Sequence, residues 1–291
     1  MINIHVNDEE SFKNSCCETG KLEVAKWLIK ISKEHGKMIN IHANDEEVFR
    51  FSCSNDEIKV AKLLMEIAKE NGEVINIHAN NEEAFRISCG NGFINVAKWL
   101  FEISKENGDM IDIHADNDDA FIESCAYGYI KVAKWLMKIS KKNGNMINIH
   151  TNNEESFRES CEGGYLEIAK WLMGISKENG EMINIHANDE KAFIESCANG
   201  DLEIAKWLMK VSKKNGEIIN IHAQHEKAFS LSCHNGKIEV AKWLCSLCDE
   251  YYIKIRDYKI VKYTIKNMYS DFLDENIGIK KIIKILQLKI I

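Results

Sequence analysis

The chain of 291 residues contains no proline. Proline is the strongest helix breaker, so its absence leaves glycine and asparagine to mark the ends of helices. No apolar run reaches the roughly 18–20 residues that span a membrane. The sequence also lacks the phosphate-loop, GxSxG and HExxH motifs of common enzymes. We therefore expect no membrane span, no catalysis, no small-molecule substrate and no cofactor.

Positive charge is scarce over most of the chain. The net charge is −7, although residues 251–291 carry nine Lys/Arg against four Asp/Glu. The first 250 residues are therefore strongly acidic. A nucleic-acid groove requires clustered positive charge, so we expect no nucleic-acid partner.

The sequence does contain a repeated unit. The stretch INIHANNEEAFRISCGNGFINVAKWLFEISKENG, residues 75–108, recurs about seven times with small changes. Copies begin near residues 2, 39, 75, 111, 147, 183 and 219. One histidine per copy marks the phase at a spacing of 36 residues: His42, His78, His114, His150, His186 and His222, with His5 placed 37 residues before the first of them. A fixed period of this length predicts a repeat architecture.

Each copy predicts two helices joined by a turn. Asn80 and Glu83 have the spacing of a capping box at the start of the first helix. Asn91-Gly92 ends that helix, because glycine accepts a positive φ. The second helix carries an apolar stripe at i, i+3, i+4 and i+7: Val96, Trp99, Leu100 and Ile103. Ile111–His114 then predicts an extended connector to the next copy.

Tryptophan, alanine and cysteine each occupy one column of the repeat. We expect the first two to form the interior between stacked helices: Trp27, Trp99, Trp135, Trp171, Trp207 and Trp243, with Ala25, Ala61, Ala97, Ala133, Ala169, Ala205 and Ala241. Stacked helices lie ~8–10 Å apart, whereas a disulfide needs Cα atoms within about 7 Å. The seven column cysteines are therefore interpreted as buried thiols: Cys16, Cys53, Cys89, Cys125, Cys161, Cys197 and Cys233. Unbridged cysteines favour a reducing intracellular compartment, the cytoplasm or nucleus.

The segment AFRISCGNGFINVAKWLFE is similar to the TPLHxAAxxGHxxVVxxLL core of ankyrin repeats, and INIHAN is similar to their hairpin. Glu83–Arg86 replaces Thr-Pro-Leu-His, and the unit has 36 residues instead of 33, with the excess placed at Ser104–Asn107. This longer unit resembles ankyrin repeats of amoeba-infecting giant viruses of the mimivirus kind. The resemblance covers residues 1–248. It implies an all-α helix-turn-helix solenoid with short hairpin connectors that binds a partner protein on its concave side.

Two domains follow from this resemblance. Residues 1–249 form the repeat array, and residues 250–291 form a divergent capping repeat, with helices near 257–268 and 277–289. The ends of repeat arrays must be closed against water. The alternative is an adaptor, in which residues 250–291 recruit a second machine such as a ubiquitin ligase, or a membrane surface. We favour the cap and do not expect membrane contact by this basic segment.

Three groups of residues invite a chemical interpretation. The histidine column forms a row of side chains instead of a converging cage, so we expect no metal site and a structural role. Cys245 and Cys248 form a CxxC without a second pair, which favours a helical position over zinc or redox chemistry. The acidic runs, such as Asp45-Glu46-Glu47, open helices, where negative charge offsets the helix dipole.

Partner-binding candidates are the residues that the repeat does not dictate. Variable columns at the turn supply Asn91, Glu162, Asn199 and His234, and aromatic residues gather near the middle of the array as Phe93, Tyr127, Tyr129 and Tyr165. Aromatic residues are favoured at interface hot spots. Phe93, Tyr129 and Tyr165 stand where the family has histidine, so packing on neighbouring units is the favoured alternative for these three. Binding is favoured for Tyr127. The expected function is a protein–protein interaction scaffold whose partner, host or viral, is unidentified.

Overall fold

The computed structural model describes residues 10–17 and 22–247, and all regular secondary structure in these ranges is α-helical. The chain divides into two compact units, Met1–Asn148 and Ile149–Ile291. The first unit contains α1 (Glu10–Cys17), α2 (Leu22–Glu34), α3 (Ala43–Ser54), α4 (Ile58–Glu70), α5 (Ala79–Gly90), α6 (Ile94–Asn107), α7 (Ala115–Ala126) and α8 (Ile130–Asn143). The second contains α9 (Thr151–Glu162), α10 (Leu166–Asn179), α11 (Ala187–Asn199), α12 (Leu202–Lys214), α13 (Ala223–His234) and α14 (Ile238–Leu247).

The helices form pairs, as predicted. Each odd-numbered helix packs against the even-numbered helix that follows it. Within the first unit α3 contacts α5, and α5 contacts α7; within the second, α9 contacts α11, and α11 contacts α13. Within each unit, the main helix contacts therefore join neighbouring repeats, which is the contact pattern of a helical repeat array.

Phenylalanine and leucine form the centre of each layer. The fully buried phenylalanines lie on the odd-numbered helices: Phe12, Phe49, Phe85 and Phe121 in the first unit, Phe157 and Phe193 in the second. The fully buried leucines lie on the even-numbered helices: Leu64, Leu100, Leu136, Leu172 and Leu208. All seven alanines of the predicted column are inaccessible to solvent. This small side chain lets the paired helices approach closely, so the alanine column is confirmed.

The tryptophans do not fill this interior, and here the sequence-based expectation was wrong. Trp27 is 55% exposed, and the other five are only half-buried. Four of the half-buried tryptophans lie beside a phenylalanine of the preceding repeat, in the pairs Trp99–Phe49, Trp135–Phe85, Trp207–Phe157 and Trp243–Phe193, with ring centroids 6.1–6.3 Å apart. A helical stripe shows which residues face a neighbour but not how deeply they are buried. These four tryptophans therefore lie at the edge of the phenylalanine layers.

The turn between paired helices requires a left-handed residue. Gly92 has φ +78°, and a Cβ added there would lie 2.3 Å from the ring of Tyr129 in the next repeat. The aromatic ring therefore rests directly on the turn of its neighbour. In the second copy, which lacks this glycine, Asp56 adopts φ +62°. The turn geometry is thus kept where the glycine is missing.

The connectors begin as predicted and then depart from the prediction. Ile111 and Ile113 are buried while Asp112 between them is exposed, which is the alternation of an extended chain. No connector of the described residues, however, contains a β-strand. Three consecutive left-handed residues follow in each connector from His42 onwards; in the third copy these are Asn80, Asn81 and Glu82, with φ +54°, +57° and +61°.

The predicted capping box is therefore wrong. An N-cap residue has extended backbone geometry and accepts a helix N–H with its side chain. Asn80 is left-handed, and its side-chain amide donates to the Glu83 carboxylate at 3.0 Å. Asparagine and aspartate tolerate a left-handed backbone better than other non-glycine side chains, which explains why they fill the first two positions in five of the six described turns; the sixth has Gln224 and His225.

Some sequence-based predictions lie outside the described residues. The first connector around His5, the domain boundary at 249/250 and the capping repeat at 250–291 with its two helices belong to this group. They stay predictions.

We expect Gly92→Ala to lower the free energy of unfolding by about 2–4 kcal/mol, because the new Cβ adds backbone strain and presses on the Tyr129 ring. Gly108→Ala is the matched control, since Gly108 has φ +76° and no atom within 4 Å of an added Cβ. It should cost only about 1–2 kcal/mol. Urea unfolding measures both, and equal losses would contradict the packing of Tyr129 on the turn.

Candidate functional site

The histidines of the repeat column form hydrogen bonds with carboxylates in the connectors. In six successive copies the ring Nδ1 lies 2.6–3.0 Å from the carboxylate four residues later, in the pairs His42–Glu46, His78–Glu82, His114–Asp118, His150–Glu154, His186–Glu190 and His222–Glu226. We call these pairs the histidine network. Each carboxylate is the third residue of the left-handed turn. The histidines therefore have a structural role in the connectors, because each binds the carboxylate at the third residue of its turn.

The same carboxylates link successive connectors. Glu46 is 6% exposed, and its Oε1 accepts the backbone N–H of Asn76, 30 residues later, at 3.1 Å. Glu82 accepts from Asp112 in the same way at 3.1 Å. In the second unit the bonds run to Glu154 and Glu190. One buried carboxylate therefore orders its own turn and anchors the next connector.

Arginine supports the turn in three copies. Arg158 is 5% exposed, and its guanidinium donates to the carbonyls of Asn153 and Asn152 at 2.8 and 3.1 Å. Arg50 donates to both equivalent carbonyls, those of Asp45 and Asn44, and Arg86 donates to that of Asn81. Carbonyls in a left-handed turn cannot be satisfied by regular helix bonds, so a forked donor suits this position.

The column cysteines are in no position to act as nucleophiles. Burial raises the pKa of every column thiol from Cys53 to Cys233, and that of Cys233 to about 12. The reactive form of cysteine is the thiolate, which burial disfavours. Cys245 is buried in α14, whereas Cys248 lies outside the described residues, so the CxxC is described only in part.

In residues 10–17 and 22–247, no group of three or more His, Cys, Asp and Glu side chains is arranged to hold a metal ion. No helix in these ranges is long and apolar enough to cross a membrane.

A surface depression of about 210 Å³ lies between two odd-numbered helices of the first unit. We call it the α5–α7 groove. It is lined by Arg86, Ile87, Gly90 and Asn91 on one side and by Asp119, Glu123 and Tyr127 on the other. The second set has i, i+4, i+8 spacing, which places all three side chains on one face of α7 and its end.

The predicted binding residues fall into separate places. Asn91 and Tyr127 both line the α5–α7 groove, and Tyr127 is 56% exposed. Asn91 also has a structural contact, since its side-chain amide donates to the Ser54 carbonyl of the preceding repeat at 3.0 Å. Asn199 contacts the Glu162 carbonyl in the same way at 2.8 Å.

The other candidates lie elsewhere. Tyr129 packs on Gly92, and Phe93 and Tyr165 are half-buried residues whose carbonyls accept the first helical N–H groups of α6 and α10. Glu162 is half-buried at the end of α9, and His234 is exposed at the end of α13. Phe93 and Tyr129 do not line the α5–α7 groove, and Tyr165, Glu162 and His234 belong to the second unit.

Sequence reasoning missed five lining residues of the groove. Gly90 shares the variable column of Glu162 and His234 but was not selected, whereas Arg86, Ile87, Asp119 and Glu123 lie on the helices outside the variable columns. The available signal was helical periodicity, because Asp119 and Glu123 precede Tyr127 by eight and four residues.

A protein-family match falls within the second unit. Residues 157–257 match the family model described as ankyrin repeats (3 copies). No curated protein matches the chain. With this match and the regular contacts between helix pairs, the predicted fold class, an all-α ankyrin-type helical solenoid, is confirmed. Ankyrin repeats are generally protein–protein interaction scaffolds, and the family is typically non-catalytic.

We expect Tyr127→Ala to change the free energy of unfolding by no more than about 0.5 kcal/mol, because most of this side chain is in solvent. Tyr129→Ala removes a ring that covers a neighbouring turn and should cost about 1–3 kcal/mol. Chemical denaturation of the two variants checks this order. A large loss for Tyr127→Ala would mean that Tyr127 is a packing residue and would remove it from the candidate site.

Proposed function

We propose that this protein is a protein–protein interaction scaffold that binds a partner protein through the α5–α7 groove of its first unit. The observation that carries the proposal is an exposed tyrosine, Tyr127, beside a depression lined by charged and apolar side chains. Exposed aromatic residues at such places are favoured as interface anchors. Binding requires no bond chemistry.

The charge of the groove favours a cationic partner segment. Asp119 lines it and Asp116 lies beside it. These two carboxylates face one arginine, Arg86, whose Nη1 lies 3.2 Å from Asp116 and 2.6 Å from Asp119. A lysine or arginine of the partner would meet the excess negative charge and the face of the Tyr127 ring together.

The origin of the partner and the adaptor alternative are finer predictions, which the described residues do not test. If the resemblance to giant-virus repeats is correct, the partner is a host or viral protein. The adaptor alternative depends on residues 250–291, which lie outside the described residues, and no observation in the described part of the chain favours it.

We expect a photo-crosslinking amino acid at position 127 of the full-length chain to label a discrete partner in an extract of the source cells. The same group at Lys98, an exposed residue of α6, is the matched control and should label it at least about tenfold less. Glu123→Lys should weaken labelling from position 127 by a similar factor, because it reverses a charge in the groove. Equal labelling from positions 127 and 98 would contradict the proposed site.

A further inference from the structure

The ring nitrogens of a connector histidine face acceptors on both sides. Nδ1 of His114 lies 2.6 Å from the Asp118 carboxylate, and Nε2 lies 3.1 Å from the backbone carbonyl of Asn145. A carbonyl and an ionised carboxylate only accept hydrogen bonds. Both contacts are hydrogen bonds only if both nitrogens carry a proton. The geometry around His114 therefore suits the imidazolium cation.

Other copies repeat this arrangement with a carboxylate on the Nε2 side. For His42 the second oxygen belongs to Glu73 at 3.2 Å, and for His186 it belongs to Glu217 at 3.0 Å. The looser equivalents are His78 with Asp109 at 3.5 Å and His150 with Glu181 at 3.7 Å. The Ser212 hydroxyl lies 3.5 Å from Nε2 of His186. The second acceptor always precedes the next connector.

The buried side of the network also favours a cation. The carboxylates of Glu46, Glu82 and Glu190 are 5–6% exposed, and the second oxygen of each makes no hydrogen bond to the protein. A buried negative charge is costly unless a positive charge lies close to it. The histidine four residues earlier is the cation that can supply this charge.

We propose that the histidine network is a protonation-dependent coupling between successive repeats, which holds the connectors more tightly at about pH 6 than at pH 8. Protonation adds the Nε2–H bond and balances the buried carboxylate. Loss of the proton leaves a ring nitrogen lone pair facing an acceptor.

The pKa of His42 is shifted in the direction that the proposal requires. Burial of the ring favours its neutral form and lowers the pKa, but the hydrogen bonds to Glu46 and Glu73 and the negative charges of both carboxylates outweigh burial and raise the pKa above 6.5. A raised pKa means that the folded state binds the proton more tightly than the unfolded state. Its contribution to stability is fully present below pH 6.5 and is lost as the pH rises through the folded value.

The test is thermal unfolding of the full-length chain at pH 6 and pH 8, with hydrogen exchange of the connector amides at both values. We expect the midpoint to fall by about 3–6 °C at pH 8. The amides of Asn76, Asp112, Asn184 and Asn220, which donate to the network carboxylates, should lose protection at least about threefold after correction for intrinsic exchange.

Three variants separate this effect from general destabilisation. The triple variant His42→Gln, His78→Gln, His114→Gln should lose most of the pH dependence of the first unit. His35→Gln removes an exposed histidine outside the network and should keep the wild-type dependence. Glu73→Gln changes a half-exposed carboxylate, so it should fold normally and reduce the dependence around His42 alone.

The proposal is overturned by either of two results. One is a wild-type midpoint and amide protection that stay constant or rise from pH 6 to pH 8. The other is a Glu73→Gln variant whose Asn76 amide, which shares the network of His42, keeps the full wild-type change in protection. The second result remains decisive if the triple variant does not fold.

Discussion

The structure depends on the carboxylate at the third residue of each left-handed turn, which is buried in five of the six described turns. Left-handed residues other than glycine cost roughly 1–2 kcal/mol each, and every connector from His42 onwards contains three in succession. Such a turn persists only if the surrounding structure stabilises it. The carboxylate does so by binding the histidine before the turn and, in four copies, the backbone of the next connector.

This link explains the strict 36-residue period. The carboxylate must meet an N–H group 30 residues later, so an insertion between the two would move that N–H group out of reach. The same period sets the contact between Trp99 and Phe49 and that between Tyr129 and Gly92. Repeats that contact only their neighbours need identical joining surfaces, and most of each unit is used for that purpose.

Much of the fold could be predicted because it depends on local pattern. Helix pairs, the alanine column and the buried thiols follow from periodicity and from the distance between stacked helices. The left-handed turn could not be predicted in this way, because Asn80 and Glu83 have the spacing of a standard capping box. Only the position of the next connector shows that Glu82 must point inward.

The candidate site was less predictable for a related reason. A column of varying residues shows where the repeat imposes no constraint, but not whether the side chain reaches solvent. Asn91 and Tyr127 occupy the same column of such positions, yet Asn91 holds the neighbouring repeat while Tyr127 projects outward. The groove itself depends on two helices of different repeats, and sequence positions 33 residues apart do not reveal that Arg86 and Asp119 touch.

The most direct test of the central claim is the stability of Glu82→Ala in the full-length chain, measured by urea unfolding. The buried carboxylate is the shared partner of His78 and Asp112, so its removal should cost about 2–4 kcal/mol. Glu106→Ala, on the exposed end of α6, is the control and should stay within about 0.5 kcal/mol of wild type. A Glu82→Ala protein as stable as this control would contradict the account.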